Sequence, residues 1–147
     1  MGALSEVIQD PARRRNVVDD GVRAIDAEVQ SKRGVTGFAV KAGFRTVKSV
    51  SPGFIPQALN HLMDDFAEQI DPYYDSWKAD SSGTLKAYFV ANDVKIANAL
   101  LSITDDRART AKSRVVKKAY QKLRGQAVNH TAAAMPRVAD LVTKHVG

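Results

Sequence analysis

Every long apolar run in this chain repeats at the helical period, and none alternates at period two. Ile55, Leu59, Leu62, Met63, Phe66 and Ile70 share one face of a helix. The same spacing recurs in Val18, Val22, Ile25 and Val29, and in Val116, Ala119, Tyr120, Leu123, Ala127 and Ala134. Strands are therefore not expected. The fold class is all-α, and 147 residues suffice for one well-buried core, so residues 1–147 read as a single helical domain. About six to eight helices are predicted from the periodic segments.

Local signals divide those segments. A short helix over Ala3–Gln9 gives way to Asp10-Pro11, where Asp caps the free N–H groups and Pro suits the first helical position. The helix that follows runs to about Ser31, and Gly34 ends it. Ser51-Pro52-Gly53 breaks the chain again and Pro56 permits a restart. Asp71-Pro72 repeats the start device, opening a short aromatic segment with Tyr73, Tyr74 and Trp77 that plugs one end of the bundle. Asp80–Gly83 reads as a loop and Thr84–Ile103 as one helix sandwiched between layers. Thr104-Asp105-Asp106 offers a cap and Ser113 another just downstream, ahead of a long helix to Ala134, and Pro136 starts or kinks the last.

The stretch from Thr36 to Val50 reads as the central helix, because apolar residues cover most of its circumference. Its apolar run is too short and too interrupted by charge to span a bilayer. Phe38, Phe44, Leu62, Phe66, Phe89 and Leu100 are the predicted core. One polar strip remains on this helix: Lys41, Arg45 and Lys48. A weak internal echo, Val17–Asp20 with Ile25-Asp26 against Leu62–Asp65 with Ile70-Asp71, has no further support as a repeat.

Charge is distributed unevenly. From Arg107 onward there are ten Lys or Arg and one acid, Asp140, a net of +9, whereas the first 106 residues carry −3. Arg114, Lys117, Lys118, Lys122 and Arg124 occupy the arc opposite the apolar seam of the Ser113–Ala134 helix. Together with Lys41, Arg45 and Lys48 they form the candidate anion-binding surface, with nucleic acid or an acidic protein as partner. Arg13-Arg14-Arg15, oddly placed in a helix's first turn, is a candidate extension. No helix-turn-helix, RNP-type or zinc-ligand pattern accompanies these charges.

No residues qualify as catalytic. The chain has no cysteine, nucleotide loop, nucleophile–base pair or HExxH motif. His61, Asp64, Asp65 and Glu68 share one side of a helix, but one helix supplies too few ligands for a metal, so no metal or other cofactor is assigned. Asn92 and Asp93 are expected to be hydrogen-bonded polar residues tying helices together, and His130 a satisfied core histidine. The absence of cysteine and of a leader pattern at the N-terminus makes the cytoplasm the expected location.

The order Val17-Val18-Asp19-Asp20, Pro52-Gly53-Phe54, Asp64-Asp65-Phe66, Asp71-Pro72-Tyr73-Tyr74 and Lys117-Lys118-Ala119-Tyr120 resembles a family of small helical bacterial proteins of unknown function. That resemblance covers nearly the whole chain and implies a free-standing bacterial cytoplasmic protein with no assigned chemistry. Three functional classes follow from the residues. The first is a binding module with a basic face for an anionic partner, and the second a structural protein that self-associates into a homo-oligomer. The third is a small apolar-ligand carrier or an enzyme built around the helix interior, which a buried, empty apolar cavity would favour.

Overall fold

The computed structural model describes residues 1–80 and 82–147. Among them are eight helices and no strand: α1 (Ala3–Val7), α2 (Pro11–Ser31), α3 (Gly34–Val50), α4 (Phe54–Asp80), α5 (Leu85–Ala91), α6 (Asp93–Arg109), α7 (Arg114–Ala133) and α8 (Met135–Val146). None is long and apolar enough to cross a membrane among the described residues. The loop expected over Asp80–Gly83 includes Ser81, which lies outside the described residues.

Several boundaries follow from the capping chemistry. The Asp10 carboxylate accepts from Arg13 N–H at the start of α2, and Pro11 fills the first helical position. Ser113 Oγ accepts from Val116 N–H at the start of α7. Gly53 adopts φ +81°, a turn that side chains disfavour, between α3 and α4. Helix α3 begins at Gly34, two residues before the expected start at Thr36.

The expected restart at Asp71-Pro72 does not occur. The 27 residues of α4 run straight through Pro72. Pro72 leaves the Glu68 carbonyl without its helical donor, but Ile70 and Tyr74, on either side, are buried and hold the helix to the core. The expected Thr84–Ile103 helix is instead two. Asn92 ends α5, its side-chain amide donating to Tyr88 O at 2.9 Å, while the Asp93 carboxylate accepts from Val94 N–H at 2.7 Å. Both are hydrogen-bonded, but to their own backbone, which competes with helix continuity. They do not tie helices together, and the break leaves Val90 and Val94 about half exposed.

The central element is α4, not α3. It packs against α1, α2, α5 and α6, and α8 lies across α1, α2 and α5. The largest fully buried side chains are Phe89, Leu4, Ile8, Ile96, Met135, Val17 and Val142, none of them on α3 or α7. Helix α3 is peripheral: Phe38 is 71% exposed and Val35 87%, and Phe44 is half-buried. The apolar circumference of α3 is partly solvent-facing, as much apolar surface in proteins is. Of the six predicted core residues, Phe89 is fully buried, Leu62, Phe66 and Leu100 are half-buried, and Phe38 is outside. In the aromatic segment Tyr74 is buried, its ring tilted 51° to that of Trp77 with centroids 5.7 Å apart, and Trp77 Nε1 donates to Gly83 O at 2.9 Å.

Candidate functional site

Helices α3 and α7 form a roof over this core. They run antiparallel: Lys32, just before α3, donates to His130 O near the end of α7, and Gly43 abuts Leu123 midway along both. Helix α7 packs mainly against α6, with less contact to α8. Of the 20 residues of α7, only Ala132 is buried, although the helix carries a full apolar seam. That seam, through Tyr120, Leu123 and Ala127, borders a cavity of about 380 Å³ that is partly open to solvent. Residues of α2, α3, α4, α6, α7 and α8 line it, with Leu4 of α1.

The lining is mostly Leu, Ile, Val, Met and Phe, so water inside finds few hydrogen-bond partners. If closed and empty, such a void would cost about 9 kcal/mol at roughly 24 cal/mol per Å³. That is of the order of a domain's whole stability, about 5–15 kcal/mol. The volume falls in the usual range for small-molecule pockets, about 300–1,000 Å³.

Two polar groups interrupt the lining. At one, Asp105 accepts from Arg124 Nε at 2.8 Å and Nη2 at 3.0 Å, and from the Tyr120 hydroxyl at 2.5 Å, with Thr104 Oγ1 2.7 Å from that hydroxyl. The Arg124 guanidinium and then Tyr120 hold the Asp105 carboxyl below its ordinary range. Burial, and then Asp105, push the Tyr120 phenol up to about 12, so it keeps its proton. This cluster is closed on itself.

The second group is not closed. Glu28 bridges two cations, accepting from Lys32 Nζ at 2.6 Å and from Arg137 Nε at 3.0 Å. Lys32 and Glu28 are largely buried, with side chains 9% and 15% exposed. His130 stands beside them. Among the described residues, its Nε2 is the one buried side-chain nitrogen or oxygen without a hydrogen-bond partner. Burial, and then the Lys32 charge, lower the His130 pKa from its ordinary value, keeping the ring neutral near pH 7. His130 is therefore not the satisfied core histidine that its position on the seam suggests.

The two basic strips lie on the paired helices α3 and α7. Lys41, Arg45, Arg114, Lys118 and Lys122 have no carboxylate partner among the described residues. The other three are engaged: Lys48 pairs with Asp26 at 2.7 Å, Arg124 with Asp105, and Lys117 Nζ reaches Arg109 O at 3.4 Å. Arg13 and Arg14 are staples rather than a patch extension. Arg14 pairs with Asp64 at 2.9 Å and bonds Asn60, while Arg13 donates to His145 O. Asp65 pairs with Arg107 at 3.2 Å, so the carboxylates beside His61 serve interhelical ion pairs.

The family model for a family of unknown function, DUF6918, matches residues 4–146. The chain belongs to that family. No curated protein and no solved structure matches it.

Sequence reasoning reached His130, Tyr120 and Arg124 singly, but not the cavity that joins them. Glu28, Lys32 and Arg137 were missed. The i, i+4 spacing of Glu28 and Lys32 was the available signal, yet it is also what any exposed helix pair shows.

Proposed function

We propose that the protein is a cytoplasmic carrier that binds a small apolar ligand beneath the α3–α7 roof. One observation carries this reading: a cavity of about 380 Å³ with a predominantly apolar lining, faced by an α7 seam that has only one buried residue. Calorimetric titration with decanol, a neutral probe, tests it. Saturable one-to-one binding is expected, together with a rise in melting temperature by mass action. Ala127→Phe and, separately, Ala24→Phe place a ring in the space and should abolish binding without lowering the melting temperature. No saturable binding to the wild type, or unchanged binding in both filled variants, overturns the reading.

A second reading, an anionic macromolecular partner on the roof's outer face, draws support from Lys41, Arg45, Arg114, Lys118 and Lys122, which lie on the paired helices α3 and α7 without carboxylate partners among the described residues. Such binding releases counterions, so affinity would fall linearly in log salt. An electrophoretic shift with duplex DNA, single-stranded DNA and RNA at low salt tests this reading. Lys118→Glu with Lys122→Glu should weaken any shift and flatten its salt dependence, and no shift with any of the three excludes nucleic acid.

A further inference from the structure

The two polar groups on the cavity wall differ in what they still need. Around Asp105, one carboxylate meets one guanidinium, and the phenol and the threonine hydroxyl complete the set. Around Glu28, one carboxylate meets two cations, the buried Lys32 and Arg137, whose side chain is 40% exposed, so the group carries one net positive charge. An anion at its buried, cavity-facing side would pair with that charge away from water. Each oxygen of Glu28 is already taken by one cation. Lys32 spends two of its three protons, on Glu28 and on His130 O, and Arg137 spends only its Nε–H on Glu28. His130 Nε2 beside them has no partner.

Resting on the carrier reading, we infer that the ligand is a single-chain carboxylate whose head group lies among Lys32, Arg137 and His130, with its chain along the cavity toward Tyr120. The charge fixes the head. A carboxylate brings one negative charge against one positive, whereas a phosphate monoester brings about 1.5–2 and would leave the group overcharged. A carboxylate also accepts through two oxygens, matching the spare Lys32 and Arg137 protons and an Nε2–H donor on the neutral His130 ring. Ten residues of α7 separate His130 from Tyr120, about 15 Å at the helical rise. Phe44, Met63, Phe66, Leu100 and Leu123 are among the apolar side chains available to the chain.

Calorimetric titration with decanoate and with decanol at pH 8, both below micelle formation, separates the head from the chain. Decanoate should bind at least tenfold more tightly than decanol. His130→Leu and Arg137→Gln should each cut that ratio at least fivefold while leaving decanol affinity within threefold. Lys118→Gln, on the outer face, should leave the ratio unchanged. Equal affinity of the two probes for the wild type, or a ratio unmoved in both site variants, overturns this inference while the carrier reading stands on decanol binding alone. If neither probe binds, both fall.

Discussion

Replacing Asp71 should show that the short first helix is fastened by a residue far away in sequence. The Asp71 carboxylate, 5% exposed on α4, accepts from Leu4 N–H at 2.8 Å, Ser5 N–H at 3.3 Å and Ser5 Oγ at 2.5 Å. It thus caps α1, whose own N-cap residue Gly2 offers no side chain. The approach is so close that a Cβ on Gly2 would fall inside the Asp71 carboxyl group. Asp71→Ala leaves three buried donors without an acceptor, each costing about 1–3 kcal/mol. Undocking α1 instead would expose Leu4, Val7 and Ile8, at about 1.5–3 kcal/mol each. Whichever response is cheaper, Asp71→Ala should lose about 3–5 kcal/mol in urea unfolding with the m-value nearly unchanged. Asp71→Asn, which keeps one accepting oxygen, should lose about half as much. A loss below about 1 kcal/mol for Asp71→Ala would refute the capping role.

Other outcomes follow from named contacts. Lys144, and then His145, hold the Asp20 pKa at about 2, against an ordinary 3.8, across the α2–α8 contact. The stability from this lowered carboxylate is fully present above its ordinary pKa and is lost as pH falls from 3.8 toward 2; Asp20→Asn should flatten that part of the acid unfolding profile. Phe89→Ala should cost about 3–5 kcal/mol, whereas Phe38→Ala, at a position 71% exposed, should stay within about 0.5 kcal/mol. Comparable losses in thermal or urea unfolding would contradict the burial pattern. Amides of α3 and α7 should exchange faster than those of α4 and α8, and decanol should slow them; uniform protection would argue against a loosely held roof.

The fold was legible where one residue has one local use. Asp10-Pro11, Ser113 and Pro136 set helix starts because caps act within a single turn. The stripe Leu59, Met63, Ile70 was equally plain, and all three are buried. Asp71-Pro72 was misread because the same dipeptide that caps its own helix at Asp10 lends its carboxylate to α1 at Asp71, a choice that only tertiary packing makes. The all-round apolar character of α3 did not reveal what would cover it. Its small residues, with Val35 and Phe38 in water, make it a roof rather than a centre. The cavity was invisible for a related reason. Periodicity says which face of α7 is apolar, but not whether the facing side chains meet it.

On the carrier reading, the cavity joins the well-buried body of the fold to the less buried α3 and α7. The side chains with essentially no exposure lie on α1, α2, α5, α6 and α8 or directly after α1, around the long α4. The roof is tied to that body by packing of α7 against α6 and by polar pairs, Lys48 to Asp26 and Tyr120 and Arg124 to Asp105. Half-exposed ties such as Lys48–Asp26 are worth well under the cost of unpacking a core helix. On the carrier reading the roof lifts locally while the body stays folded, as low-stability segments do in native proteins. A ligand that fills the space contacts both layers, and so adds the apolar packing that α7 lacks on its own. Binding would tighten the roof without altering the body, which is the division of labour a carrier needs to take up and give back an apolar molecule.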